Sequence, residues 1–256
     1  MDDLNDRGVN NVDLAVMDYF ISNNLPFTAS IIVSKLANGS NLSVFHKIEE
    51  GVQKGLFEVA IHGYRHINHA LMTEKEQKYD LSTANARLEY LFGKRSDIFV
   101  PPGNAFNLHT IEAMADLNIS LFSTSDNSEK ITINPYKSQN FLETNNSRLQ
   151  VSKISNQKPL VYHVPFSVSF LSLHRHGLSG DKLVEESLKR INKNIALYGF
   201  AQVRLHPTDF DQVNATSGKP INELNNTRFQ QLTNLVDNLQ GRNITIASFS
   251  DIYPHS

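Results

Sequence analysis

The sequence predicts an α/β fold, an irregular (β/α) barrel of about seven strands. Three observations carry this expectation. Strand-like and helix-like stretches alternate from end to end, the pattern of a parallel sheet with crossover helices. The 256 residues are 40% hydrophobic and 20% charged, enough to bury a large core. No internal repeat or low-complexity linker divides the chain, so residues 1–256 read as a single domain.

Taken in order, Val9, Val12, Val16, Tyr19 and Phe20 fall at helical spacing, and that helix gives way to a strand-like run from Phe27 to Val33. A second helix, around Leu42 to Lys54, leads to Phe57-Glu58-Val59-Ala60-Ile61-His62. There Phe57, Val59 and Ile61 share one face and Glu58, Ala60 and His62 the other, which puts His62 at a strand end on the smaller, more polar face. Thr73 followed by Glu76 predicts a capping box, and Leu81, Ala84, Leu88 and Leu91 continue as an apolar stripe that stops at Gly93. A short strand from Ile98 to Val100, a helix opening at Asn107 and a strand from Ile119 to Ser123 follow. Asp126 to Asn156 is polar, Asn-rich and weakly periodic, the signature of a long excursion over a barrel mouth. Leu160 to Val164 resumes the sheet. A helix on Val184, Leu188, Ile191 and Ile195 precedes a strand from Ala201 to Leu205, and a last helix, Asn222 to Leu239, leads to a strand-like Ile244 to Ala247.

Composition narrows the function classes. Lys plus Arg number 24 against 26 Asp plus Glu, a balance that leaves no electrostatic footprint for nucleic acid or an anionic membrane, so the expected partner is uncharged or small. With no cysteine, any metal must be held by His, Asp or Glu. No run is long and apolar enough to span a membrane, and the first residues show neither the basic region nor the apolar run of a signal peptide. The compartment stays open, with an extracellular location possible if the natural start lies upstream. Asn-x-Ser/Thr patterns at Asn38, Asn41, Asn118, Asn145, Asn214, Asn225 and Asn243 would fit secretion, though chance explains most of them in so Asn-rich a chain.

Three polar clusters fall at the chain start or just after strands: Asp2-Asp3, His62-Gly63-Tyr64-Arg65-His66 and Leu205-His206-Pro207. In barrels of this general kind the active site lies at the C-terminal strand ends, where such clusters converge. Each also has a bland reading. A His-x3-His pair can be two hydrogen-bonded histidines, Asp2-Asp3 a solvated terminus, His206-Pro207 a strand terminator, and Pro101-Pro102-Gly103 a rigid turn. His163, which ends the strand before Val164-Pro165, is either a pocket residue or a satisfied core histidine.

Four segments in order resemble the polysaccharide deacetylases, the NodB-type enzymes of carbohydrate esterase family 4. Asp2-Asp3 resemble the family's first motif, a pair of aspartates, and His62 to His66 its His-Ser/Thr-x-x-His motif with Gly63 in place of the hydroxyl residue. Phe99-Val100-Pro101-Pro102-Gly103 resembles the Arg-x-Pro segment, and Val203-Arg204-Leu205-His206 the late Leu-x-His motif. The resemblance implies one NodB-like catalytic domain over residues 1–256, a metal-dependent hydrolase removing N-acetyl or O-acetyl groups from a carbohydrate of a cell wall or surface glycan. It implies a divalent metal, Zn2+ by preference, on Asp3, His62 and His66, with Asp2 as general base and His206 as general acid. Gly103 would supply an oxyanion N–H, Leu205 would wall the acetyl pocket, and Pro102, Tyr64 and His163 would line the substrate site. Tyr64, Phe106, Tyr136 and Phe166 would offer rings to a sugar. Departures are informative. Val100 stands where the family has the Arg that orients the base, leaving Arg65 and Arg204 as substitutes, and Asp126 is the candidate for the Asp that tunes the catalytic His. Only Met1 precedes Asp2, so the barrel is expected to lack its first strand, with the reading frame continuing upstream through one. A non-catalytic carbohydrate-binding relative, or a hydrolase of another non-peptide C–N bond, is the alternative function.

Overall fold

A computed structural model of the protein describes residues 1–7, 10–125, 150–152 and 161–252. Helix α1 (Asn10–Ser22) precedes β1 (Phe27–Ile31), α2 (Ser43–Gln53) precedes β2 (Phe57–Ile61), and α3 (Glu74–Phe92) precedes β3 (Ile98–Phe99). Next come α4 (Leu108–Asp116), β4 (Leu121–Phe122), β5 (Gln150–Ser152) and β6 (Val161–His163). These strands form one mixed sheet in the order β1-β2-β3-β4-β6-β5, parallel throughout except for β5. β1 and β2 pair in register from Phe27↔Phe57 to Ile31↔Ile61, and both show buried residues on either face, as a sheet covered on both sides requires. Phe57, Val59 and Ile61 join a large core with residues of the helices, while Ala60 packs with Ile98, Val100, Leu121 and Val164 in a smaller cluster on the other face.

The second half adds β7 (Phe166–Ser169), α5 (Phe170–Arg175), α6 (Gly180–Tyr198) and β8 (Gln202–Arg204), with β7 and β8 parallel. An antiparallel hairpin, β9 (Asp211–Val213) with β10 (Pro220–Leu224), leads into α7 (Asn226–Gly241) and α8 (Phe249–Ile252). Two links join this half to the large sheet. A parallel bridge pairs Ser125 with Phe166. On the other side, Met1 to Leu4 lies between β8 and β1: Asp2 N–H donates to the Leu205 carbonyl at 2.9 Å, Ser30 N–H to Met1 at 2.9 Å, and Leu4 bridges Ile31. Met1 to Leu4, beside the strand position expected to be vacant, is itself the connection there.

Helix α3 follows its sequence signals. Thr73 accepts the Glu76 N–H while Glu76 accepts from Thr73, and Gly93 closes the helix in the left-handed conformation at φ +72°. Several expectations are corrected. Ile244 to Ala247 is not a strand: Ile244 N–H turns back to the Leu239 carbonyl at the end of α7, and its side chain and that of Ile246 pack on the core without a ladder. The last helix starts at Asn226 rather than Asn222, because Pro220–Leu224 forms β10 and the Asn225 side chain caps the helix through Arg228 N–H. The strand from Ile119 is only Leu121–Phe122, since Ile119 N–H still bonds the end of α4 at Met114. Val9, Asp126, Tyr136, Asn145 and Leu160 lie outside the described residues, as does most of the predicted excursion.

Candidate active site

The ends of β1, β2 and β8 and the first residues of the chain meet in one place. Asp2 and Asp3, adjacent in the chain, send their carboxylates into two separate clusters. Asp3 Oδ1 lies 3.3 Å from His62 Nε2 and 3.0 Å from His66 Nε2. Asp2 Oδ2 lies 3.8 Å from His206 Nε2 and 3.9 Å from Arg204 Nε.

The first cluster is built on unusual backbone. Asp3 and His66 hold φ of +64° and +60°, left-handed conformations that L residues keep only where their surroundings enforce them. Between the two histidines Gly63 has φ +70°, and a Cβ there would come within 3.2 Å of Pro102 Cγ, which explains glycine where the resembling motif carries a hydroxyl residue. His62 is 3% exposed and its Nδ1 donates to the Val100 carbonyl at 2.7 Å, so Nε2 carries the free lone pair that faces Asp3. Burial pushes the Asp3 carboxyl up, but its two imidazole partners outweigh burial and hold it far below the ordinary carboxylate range. Burial lowers His62, yet Asp3, Asp2 and the Val100 carbonyl raise it on balance. One ligand atom from each of Asp3, His62 and His66 lies within 4.8 Å of the others, a two-nitrogen, one-oxygen set that fits a divalent cation such as zinc.

The second cluster surrounds Asp2, itself 4% exposed. Arg204 supplies the cation that Val100 cannot: its Nη1 donates to Asn104 Oδ1 at 2.8 Å and its guanidinium stacks 3.9 Å above the Phe166 ring. Arg65 has no such contact with Asp2 in the structure. Asp209, absent from the sequence expectations, lies fully buried behind His206; its Oδ2 accepts the His206 N–H at 2.8 Å and stands 3.9 Å from Nδ1. A signal for it was present, since His206-Pro207-Thr208-Asp209 has the cap-to-third-residue spacing of a capping box. Burial pushes the Asp209 carboxyl up to about 7, and burial also lowers the His206 imidazole.

The remaining expected residues sort by position. Leu205 is buried beside this cluster and its carbonyl holds Asp2 N–H. Pro102 is buried against Gly63, whereas Gly103, at φ +62°, is exposed. Tyr64 is half-buried on the core. His163 packs against Phe122 with Thr124 Oγ1 3.5 Å away, and burial lowers it to about 4, which fits the core reading. Phe106 is corrected as a sugar platform: it is buried edge-on against Phe122. Phe166 already carries Arg204 on its face.

The sequence profile of the polysaccharide deacetylases matches residues 4–122, which include His62 and His66 but begin just after Asp3. A search of curated protein sequences finds no match. Among solved structures, one from Mycobacterium smegmatis assigned to the polysaccharide deacetylases superposes with a TM-score of 0.64 at 17% identity, over 95% of this chain and 75% of that one. A pseudoenzyme of carbohydrate esterase family 4 from Bacillus anthracis superposes at 0.59 and 13% identity, over 97% of this chain and 63% of that chain. This chain therefore spans less than two thirds of the length of that relative. A family 4 carbohydrate esterase from Streptomyces lividans, solved with acetate, gives 0.52 and 14% identity, over 94% and 86%. At these identities the superpositions establish a shared fold, a mixed α/β architecture with a parallel central sheet. The profile match shows that residues 4–122, a little under half of the chain, are similar to the polysaccharide deacetylases.

Proposed function

We propose that the protein is a metal-dependent deacetylase acting on an N-acetylated, or O-acetylated, carbohydrate. The observation that carries this reading is the convergence of Asp3, His62 and His66 beside an Asp2–His206 pair. Asp3 Oδ1, His62 Nε2 and His66 Nε2 would hold the cation, which supplies Lewis acidity toward the acetyl carbonyl and the attacking water. Asp2 Oδ2 would accept the proton of that water, with the Arg204 guanidinium 3.9 Å away on its flank. His206 Nε2, 3.8 Å from Asp2, donates a proton to the leaving amine nitrogen, or to the leaving oxygen of an ester. Asp209 holds the backbone of His206 and faces its second ring nitrogen, the place of an orienting carboxylate.

The alternative of a non-catalytic role rests on Val100 standing where an orienting arginine is expected and on the expected absence of a first strand. Arg204 supplies a guanidinium to Asp2 from β8 instead, which weakens that alternative. The test is acetate release from chitooligosaccharides and peptidoglycan by purified protein of measured metal content. Stoichiometric metal with acetate release is expected, with His206→Ala lowering turnover about a hundredfold at unchanged metal content. Bound metal with no acetate release from any acetylated glycan would redirect the reading to another C–N bond. Neither metal nor acetate would leave a binding protein.

A further inference from the structure

The loop that presents His66 is held from behind by two buried side chains that no motif assigns. Asp80, on the inward face of α3, is 2% exposed, and its Oδ2 accepts the Tyr64 N–H at 2.8 Å. The same oxygen stands 3.3 Å from Nε2 of His69, which is fully buried. His69 Nδ1 in turn faces the Ile67 carbonyl at 3.0 Å, so both ring nitrogens look at oxygen atoms. The ring also packs 4.9 Å from Phe99, and its Cε1 would touch a Cβ at Gly63 at 3.4 Å. The pair thus grips the chain at Tyr64 and again at Ile67 to His69, on either side of His66.

His66 needs such a grip. It is over a third exposed and sits at φ +60°. A residue in that conformation holds it only where neighbours over-determine it. We propose that Asp80 and His69 are positioning residues for the metal centre: by clamping both flanks of His66 they aim its Nε2 at Asp3 before any ion arrives. The inference rests on the metal-centre reading above. It accounts for a charged group buried on an otherwise core-facing helix position, where a hydrophobic residue would pack without needing a partner.

The experiment compares the full chain with Asp80→Asn and His69→Gln, measuring the zinc dissociation constant, the visible spectrum of the cobalt-loaded protein and the melting temperature without metal. Asp80→Asn keeps an acceptor for Tyr64 N–H but removes the charge opposite His69; His69→Gln keeps Asp80 and removes the ring. Zinc binding is expected to weaken about tenfold or more in both, the size typical of residues that support metal ligands, with an altered cobalt spectrum. A role in stability alone would lower the metal-free melting temperature and leave the affinity and the spectrum of the folded protein unchanged, which overturns the proposal. If one variant fails to fold, the other decides by the same two readouts. Failure of the unaltered chain to bind zinc or cobalt overturns the metal-centre reading itself, a different outcome from normal binding in all three proteins.

Discussion

The two histidines of the proposed metal centre share a ligand role but not an environment, and their substitutions should differ. His62 is buried at the end of β2 with Nδ1 on the Val100 carbonyl, so His62→Ala leaves a cavity and an unpaired buried acceptor. His66 stands at the rim with 37% of its side chain exposed. Both changes should abolish stoichiometric zinc, but only His62→Ala should also lower the melting temperature of the metal-free protein; full zinc occupancy in His66→Ala would refute the assignment. The sequence pointed to both histidines and to Asp2 and Asp3 through their resemblance to deacetylase motifs, whose members lie close together in the chain. It missed Asp209, whose partner His206 is reached through a backbone N–H rather than a recognisable pair of side chains. Asp209 has a consequence in solution. Its folded carboxyl is raised from 3.8 to about 7 by burial, so the folded state holds this proton more tightly than the unfolded one. Its ionisation therefore costs stability progressively as pH rises from about 4 to about 7. Asp209→Asn should flatten that part of the stability profile, read as urea midpoints at pH 4.5, 5.5, 6.5 and 7.5 (approximate settings chosen across the window); an unchanged slope would assign the loss to other groups.

Helix α2 and strand β2 meet at one glycine. Gly51 is buried within α2, and a Cβ there would lie 2.2 Å from the ring of Phe57, the first residue of β2. Alanine would gain about 1 kcal/mol of helix propensity, but overpacking a well-filled contact costs typically ~1–3 kcal/mol. Because the clash falls on the stiff ring of a buried aromatic, Gly51→Ala should melt at a lower temperature than the unaltered chain; an equal or higher melting point would mean that Phe57 moves aside freely. Legibility in the sequence followed the same division between local and distant causes. Helix α3 was readable because its start and stop are written within it, at Thr73, Glu76 and Gly93. The β9–β10 hairpin was not, because Pro220–Leu224 alternates weakly and owes its place to Asp211, which accepts the N–H groups of Asn222 and Glu223. Ile244 to Ala247 misled for the opposite reason: its alternation fits a strand, but no strand edge bonds it in the structure.

At the scale of the whole molecule, alternation of helix and strand was enough to announce a parallel central sheet, since each crossover is encoded in adjacent stretches of chain. How the two halves join was not announced, because that depends on which backbone groups find each other across great distances in sequence. The first four residues lie at that junction, bonded to β1 on one side and to Leu205 on the other. This arrangement has a kinetic meaning. Pairing of β1 with β2 and the packing of α3 on α4 draw on residues a few tens of positions apart, whereas the bond from Asp2 to Leu205 joins residues some two hundred positions apart. Contacts of such separation form late, since the chain pays the entropy of a long loop before it gains anything from closing it. Secondary structure should accordingly return early in refolding, and the capacity to hold a cation should return last. Stopped-flow ellipticity and the absorbance of added cobalt, followed from the same denaturant jump, should separate into an earlier and a later phase. Coincident recovery at one rate would mean that Asp2 and Leu205 find each other as soon as the sheet forms.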